Sequence, residues 1–114
     1  MSTIQTSSAL RVARLDLTTT DNTTLYTVPN RYDSIVESII ISEDSGNADT
    51  ITVTLTDAES SPATFSLFKT KAISANASVE LLTAPIVVQE SEILKVQAAT
   101  ADRLHVVASF LEIS

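Results

Sequence analysis

One stretch, from Leu25 to Ser42, constrains the fold more than any other part of the chain. Its sequence is LYTVPNRYDSIVESIIIS: a short apolar run, a proline, a polar turn, and then the most hydrophobic segment of the protein. The three consecutive isoleucines Ile39–Ile41 are stiff at χ1, which favours a strand over a helix. We therefore predict a protein built from strands that add to this hairpin-like unit.

The strand predicted over Ser34–Ser42 is apolar on both of its faces. Pro29 ends the short strand before it, because proline cannot donate a hydrogen bond to a neighbouring strand. A strand with two apolar faces is expected in the centre of a sheet or at a contact between subunits. Strict alternation divides its aliphatic side chains into two sets, Ile35, Ile39 and Ile41 on one face and Val36 and Ile40 on the other.

A turn and a second strand follow. Residues 43–49, EDSGNAD, are the clearest turn signal and contain the only glycine. Thr50–Asp57 alternates cleanly, which predicts an inward face of Ile51, Val53 and Leu55. We expect the two strands to pair as a hairpin across this turn. The outward side chains belong either to a solvated sheet surface or to a contact with a neighbouring chain; they are Thr50, Thr52, Thr54 and Thr56.

The remaining sequence predicts further short strands. They cover Ala9–Leu17, Leu25–Val28, Thr64–Thr70, Val79–Leu82, Ile93–Ala98 and Leu104–Ile113, with a brief extended piece at Ile86–Val88. Residues 72–78 are compatible with a helical turn or with a bend at Asn76. The large apolar residues of the first strand are expected to face inward; they are Leu10, Val12, Leu15 and Leu17. Because Leu10 and Val12 are out of phase with Leu15 and Leu17, we predict a bulge at Ala13–Arg14.

The inward faces of two other strands can also be assigned. Phe65 and Leu67 are expected to face inward from the strand over residues 64–70. One face of the last strand carries Leu104, Val106, Ala108 and Phe110. His105 then lies on the opposite face, at the surface or at an interface.

Turn residues support this division of the chain. All three prolines fall in connections or at strand ends. The four asparagines fall at predicted turns, where asparagine can replace glycine at positive φ; they are Asn22, Asn30, Asn47 and Asn76. About eight short strands without a convincing helix predict an all-β fold, an antiparallel β-sandwich. Both jelly-roll and immunoglobulin-like wiring fit the pattern.

At 114 residues, the chain has the length of one domain. We assign residues 9–114 to the sandwich and residues 1–8, with the isolated Ile4, to a flexible arm. The arm is either a frayed terminus or a segment that orders against a neighbouring subunit.

Residues suited to catalysis or cofactor binding are scarce. The chain has no cysteine and a single histidine, His105, so a catalytic triad or a zinc site is not expected. One glycine cannot form a phosphate-binding loop. Residues 43–49 carry acidic groups that suit a calcium ion less well than a solvated turn. We therefore expect no enzyme, no metal and no cofactor.

The net charge of −7 and the scattered cations argue against nucleic-acid and anionic membrane partners. The start, MSTIQTSSAL, lacks the basic region and long apolar core of a signal peptide. We therefore expect synthesis and retention in a cytoplasm until assembly or lysis.

Four short motifs carry a resemblance to a known family. They are LYTVP at residues 25–29, SIVESIIIS at 34–42, APIVV at 84–88 and ASFLEI at 108–113. Together they resemble the small β-sandwich virion proteins of tailed bacteriophages, over about residues 25–113. The chain departs from the family pattern at Asn30–Arg31, where a small residue and a glycine usually follow the proline.

The resemblance implies a structural role on a virus particle. The first expectation for this role is a homo-oligomeric capsid decoration (cement) protein that stabilises contacts between major capsid subunits. The alternative is a tail, neck or baseplate component. A host-directed module that binds a ligand at loops 43–49 and 58–63 is a further hypothesis. The candidate interaction residues are Ile4, Tyr26, Tyr32, Thr50, Thr52, Thr54 and Thr56.

Overall fold

The computed structural model describes residues 7–114 and contains nine strands in this range. The strands are β1 (Ser8–Asp16), β2 (Thr23–Thr27), β3 (Asp33–Glu43), β4 (Asp49–Thr56), β5 (Thr64–Ile73), β6 (Ser78–Glu80), β7 (Ile86–Val88), β8 (Ile93–Ala98) and β9 (Leu104–Ile113). The described range holds no helix able to span a membrane. The predicted all-β fold is confirmed.

Two antiparallel sheets pack face to face as a β-sandwich. Sheet 1 has the order β1-β9-β3-β6, with β7 also paired to β3, and sheet 2 has the order β2-β8-β4-β5. β6 and β7 pair with different parts of β3, so they act as one interrupted strand. In an immunoglobulin fold the first two strands share a sheet, whereas β1 and β2 lie in different sheets here. The wiring is that of a jelly roll.

The core fills the space between the sheets. The last strand supplies Leu104, Val106, Ala108 and Phe110, all fully buried, as its alternation predicts. β4 buries Ile51 and Val53 as expected. All three prolines lie outside the strands. β3 lies between β9 and the β6–β7 pair, inside a sheet, which is the first of the two positions expected for it.

The predicted bulge in β1 is wrong. β1 pairs with β9 in an unbroken register from Ser8 to Asp16. Without a bulge a single alternation holds, so Leu17 is buried while Leu10 and Val12 face outward with 79% and 50% exposure. The same alternation places Arg11 on the inward face. This position is tolerated because Nε of Arg11 lies 3.1 Å from the buried carboxylate of Glu112.

A bulge occurs instead in β3. Its register with β9 shifts between Val36 and Ser38, so Glu37 is the extra residue. The bulge reverses the alternation and thereby corrects the predicted faces of this strand. The inward side chains are Val36, Ile39 and Ile41, and the outward ones are Ile35 and Ile40.

The predicted hairpin between β3 and β4 is also wrong. β3 belongs to sheet 1 and β4 to sheet 2, and β4 pairs with β5 and β8 instead. Residues 43–49 therefore carry the chain from one sheet to the other. Turn signals show where a strand ends, but they do not show which sheet the next strand joins.

Smaller corrections concern β5 and the turns. Phe65 lies opposite Leu55 on the core-facing side, as expected, but it is 53% exposed on the edge strand. The register shifts make Leu67 the extra residue and place Phe68 opposite the buried Val53. Of the four asparagines only Asn76 takes a positive φ. Residues 72–78 therefore contain the predicted bend at Asn76 and not the alternative helical turn. In the turn after Pro29, positive φ falls on Arg31, at 70°.

Candidate functional site

The outer face of sheet 1 carries a line of apolar side chains across four strands. Leu10 of β1 lies opposite Leu111 of β9. Leu111 lies opposite Ile35 of β3, and Ile35 lies opposite Val87 of β7. We call these four residues the apolar row. Because directly opposite residues share a face of the sheet, the four side chains form one continuous surface.

Exposed apolar residues concentrate on this face. Within residues 7–114, six large apolar side chains are more than one-third exposed: Leu10, Val12, Ile40, Phe65, Val87 and Val107. Five of the six lie on the outer face of sheet 1, and Phe65 of sheet 2 is the exception. Scattered apolar residues are normal on a protein surface, but a set confined to one face indicates a contact surface.

The same face becomes polar toward its other end. His105 lies opposite both Asp16 and Ser42, and its Nε2 is 3.3 Å from Oδ1 of Asp16. Both side chains are about half exposed. His105 and Asp16 thus contact each other as directly opposite residues on neighbouring strands. His105 lies on the outer side of β9, as the sequence predicts.

The two predicted tyrosines lie away from this surface. The ring of Tyr26 stacks on Phe110, with centroids 3.9 Å apart, and its hydroxyl donates a 2.5 Å hydrogen bond to Glu112. Burial and this hydrogen bond raise the pKa of Tyr26 to about 12. Tyr32 is half-buried and packs against the core. Tyr26 therefore acts between the sheets, and its aromatic face is used internally.

The four predicted threonines lie half-buried along β4 in the middle of sheet 2. Thr50 and Thr52 line a shallow depression of about 270 Å³, and Oγ1 of Thr52 accepts a hydrogen bond from the backbone of Thr70. Thr56 bonds Thr64 on the neighbouring strand. Thr54 Oγ1 is buried without a partner in the described range. The threonines form one line, separate from the apolar row. Ile4 lies outside the described residues.

Two of the carboxylates in the acidic loop at residues 43–49, Glu43 and Asp49, bond groups of the fold itself. The two oxygens of Glu43 accept hydrogen bonds from the backbone N–H groups of Ser45, Gly46 and Asn76 and from the Ser45 hydroxyl, over 2.6–3.0 Å. Burial acts to raise the pKa of Glu43, but these hydrogen bonds outweigh it and lower the pKa to about 2. Asp49 accepts the backbone N–H of Thr100. These carboxylates hold the crossing between the sheets in place.

The other proposed ligand loop, residues 58–63, is organised in the same way. Oδ1 of Asp57 accepts the backbone N–H groups of Glu59 and Ala63, at 3.3 and 3.0 Å. Across the part of the chain that the structure describes, no three His, Cys, Asp or Glu side chains are grouped in a way that could hold a metal ion.

The sequence interpretation missed the outward positions of Leu10 and Val12. A signal for them was present in β9, whose alternation places Glu112 on the same face as Phe110. A buried carboxylate needs a cation or hydrogen-bond donors nearby. Arg11 meets that need only if it faces inward, and this turns its neighbours Leu10 and Val12 outward.

Comparison of the sequence with protein-family models and with curated proteins finds no match. The candidate site is therefore defined by the geometry of sheet 1: an apolar row on the outer face of an acidic jelly roll.

Proposed function

We propose that this chain is a structural protein of a tailed-bacteriophage virion, and that it acts as a capsid decoration (cement) protein. The observation that carries the proposal is the apolar row on the outer face of sheet 1, where Leu10 and Val87 are 79% and 63% exposed. The short motifs of the sequence support the virion assignment by resemblance. Jelly rolls occur in viral capsid proteins, which agrees with the assignment, and also in lectins and cupins.

In the proposed mechanism, the apolar row docks across neighbouring copies of the major capsid protein. Full burial of an aliphatic side chain contributes roughly 1.5–3 kcal/mol, so one row gives a modest contact. Many copies on one shell, linked as homo-oligomers, would strengthen attachment through avidity. The net charge of −7 keeps the free protein soluble before assembly in the host cytoplasm.

The proposed role is structural and uses no cofactor, nucleic acid or membrane. His105 and Asp16 stand at the polar end of the outer face, and on this proposal their contact has no catalytic task. His105→Ala should therefore leave particle attachment and particle stability unchanged. Loss of a biological activity in a folded His105→Ala protein would contradict the non-enzymatic part of the proposal.

A tail, neck or baseplate component could use the same surface, and it is the alternative. Copy number in purified particles separates the two. A copy number comparable with that of the major capsid protein favours decoration of the shell, whereas one comparable with that of tail proteins favours the alternative. A host-directed ligand module is less well supported, because Glu43 and Asp57 already bond their own loops.

Attachment of purified protein to particles that lack it tests the proposal. Val87→Asp places a charge in the apolar row, at an exposed position three strands away from β1. Phe65→Asp is the matched control, because it places the same charge at an exposed apolar position on sheet 2. We expect Val87→Asp to abolish attachment and Phe65→Asp to retain it. Equal attachment by both variants would exclude the apolar row as the docking surface.

A further inference from the structure

β1 presents a long unpaired edge. It lies at the end of sheet 1, and within residues 7–114 no strand pairs with its outer side. The strand runs for nine residues, Ser8–Asp16, without a bulge. A long and regular edge strand displays a row of free N–H and C=O groups, which is a template for pairing with another chain.

The other sheet edges of this chain are protected. β2 has five residues and a register shift between Thr24 and Tyr26. β5 contains two register shifts and carries Lys69 and Lys71. β6 and β7 have three residues each. Short length, bulges and charged side chains, lysines above all, are the usual means by which sheet edges avoid pairing. β1 has no bulge and no lysine, and of its charged residues Arg11 is bound to Glu112. Its edge is therefore the longest regular one in the described range.

The direction of the backbone groups along β1 can be assigned. The N–H of Leu17 donates to the carbonyl of Leu104, and the carbonyl of Ser7 accepts the N–H of Ser114. The odd-numbered residues therefore bond toward β9. In an antiparallel pair the bonding direction alternates from one residue to the next. The even-numbered residues therefore direct their backbone groups to the open edge, and Val12 is at the centre of that set.

We propose that the open edge of β1 pairs, antiparallel, with β1 of a second copy of this chain, with Val12 facing Val12 across a two-fold axis. The proposal gives the homo-oligomer of the proposed function its interface, and it rests on that part of the proposed function. A two-fold contact uses the same strand on both copies, which the symmetry of a homodimer requires.

Overlap and charge together favour this register. With Val12 at the centre, Leu10 lies opposite Arg14 and Ser8 lies opposite Asp16, so all nine residues of each strand take part and no like charges oppose each other. Registers centred on Arg11 or Arg14 would place two arginines directly opposite, which is unfavourable. Registers centred on Leu10 or Ala13 avoid that contact but leave residues at the strand ends outside the β1–β1 overlap.

The strand does not share the acidic character of the chain. β1 carries two arginines and one aspartate, although the whole chain has a net charge of −7. Pairing would join the two outer faces of sheet 1 into one. The apolar rows of both copies would then lie on one face, offset along the strands, with the two Val12 side chains between them at the axis.

The absence of cysteine from the natural sequence allows a direct test by disulfide formation. Val12→Cys would place two sulfur-bearing residues opposite each other with Cα atoms about 5.5 Å apart, within the reach of a disulfide. Ser109→Cys is the matched control, since Ser109 lies beside Val12 on the next strand and faces the same side. Across the proposed axis, Ser109 and its copy are three strand spacings, about 14 Å, apart.

The experiment uses the full chain, with light scattering to give the mass and mild oxidation to form the cross-link. We expect a dimer, extensive cross-linking of Val12→Cys, and little cross-linking of Ser109→Cys. We also expect Val12→Lys to raise the dimer dissociation constant at least about tenfold, because it replaces an apolar contact with two like charges that face each other. Its circular dichroism spectrum should still be that of a β protein.

Two outcomes would overturn the inference in different ways. A dimer in which Val12→Cys cross-links no better than Ser109→Cys would show that the copies meet elsewhere, and the homo-oligomer would stand without this interface. A monomer at all concentrations would remove both the interface and the homo-oligomer. Neither outcome decides attachment to particles, which Val87→Asp tests independently.

Discussion

The hydroxyl of Tyr26 and the carboxylate of Glu112 join the two sheets by a hydrogen bond of 2.5 Å. Tyr26 lies on β2 and Glu112 on β9, where it is 4% exposed. The second oxygen of Glu112 lies 3.1 Å from Nε of Arg11. The buried charge thus has a donor on each oxygen, and the stacked rings of Tyr26 and Phe110 shield one side of the cluster.

Tyr26→Phe should destabilise the fold by about 2 kcal/mol, because it removes a hydrogen bond to a buried charged acceptor and keeps the stacked ring. Urea unfolding measures the change. Tyr32→Phe is the control, since Tyr32 also packs against the core, while the side-chain hydrogen bonds of Glu112 come from Tyr26 and Arg11. Its effect should stay within about 0.5 kcal/mol. Equal effects of the two substitutions would contradict the role given to the Tyr26–Glu112 bond.

Tyr26 should also make stability depend on pH in the alkaline range. Its pKa is raised from 10.0 to about 12 by burial and by the bond to Glu112, so the folded state holds the phenolic proton more tightly than the unfolded state. The resulting stability is fully present below pH 10 and is lost as the pH rises toward 12. In Tyr32→Phe the only tyrosine is Tyr26, so its tyrosinate absorbance reports the pKa directly. A midpoint near 10 in the folded protein would refute this prediction.

Glu43 should have the opposite effect in acid. Its pKa falls from 4.5 to about 2 on folding, so its contribution to stability is present above pH 4.5 and is lost as the pH falls toward 2. Glu43→Gln should be less stable than the natural protein at neutral pH, with a difference that shrinks and vanishes in acid. Ser45→Ala, which removes one donor to Glu43, should show a smaller loss of the same sign. A difference that does not vary with pH would contradict the account of Glu43.

The bulge at Glu37 should be indispensable to β3. Deleting Glu37 would restore strict alternation and turn either Val36 or the pair Ile39 and Ile41 away from the core. We expect the deletion variant to lose cooperative thermal unfolding. Glu37→Ala keeps the extra residue and should change stability by no more than about 0.5 kcal/mol. A deletion variant that still unfolds cooperatively near the natural melting temperature would show that the register can adjust.

The sequence predicts the fold best where alternation is strict and uninterrupted. β4, β8 and β9 follow their patterns, and β8 and β9 have the predicted bounds. β1 and β3 are mispredicted because each breaks alternation once, and apolar residues alone do not show how the break is resolved. In β1 the break is resolved by an inward Arg11 bound to Glu112, and in β3 by the bulge at Glu37.

The candidate surface could be predicted only in part. The two apolar faces of β3 predicted either the centre of a sheet or a contact between subunits; the strand is central, and the row through Ile35 lies on its outer face. The threonines of β4 were correctly placed on an outer face, although on the other sheet. The apolar row itself depends on the pairing of four strands that are distant in sequence. Local pattern does not encode which strands become neighbours, so the row becomes visible only in the folded chain.

Imaging of virus particles that carry this chain tests the central claim most directly. Cryo-electron microscopy of purified particles should show the jelly roll on the outer shell, in many copies, with the outer face of sheet 1 against the major capsid protein. Density for the chain at the tail or baseplate would favour the alternative structural role. Particles without the chain would contradict the account.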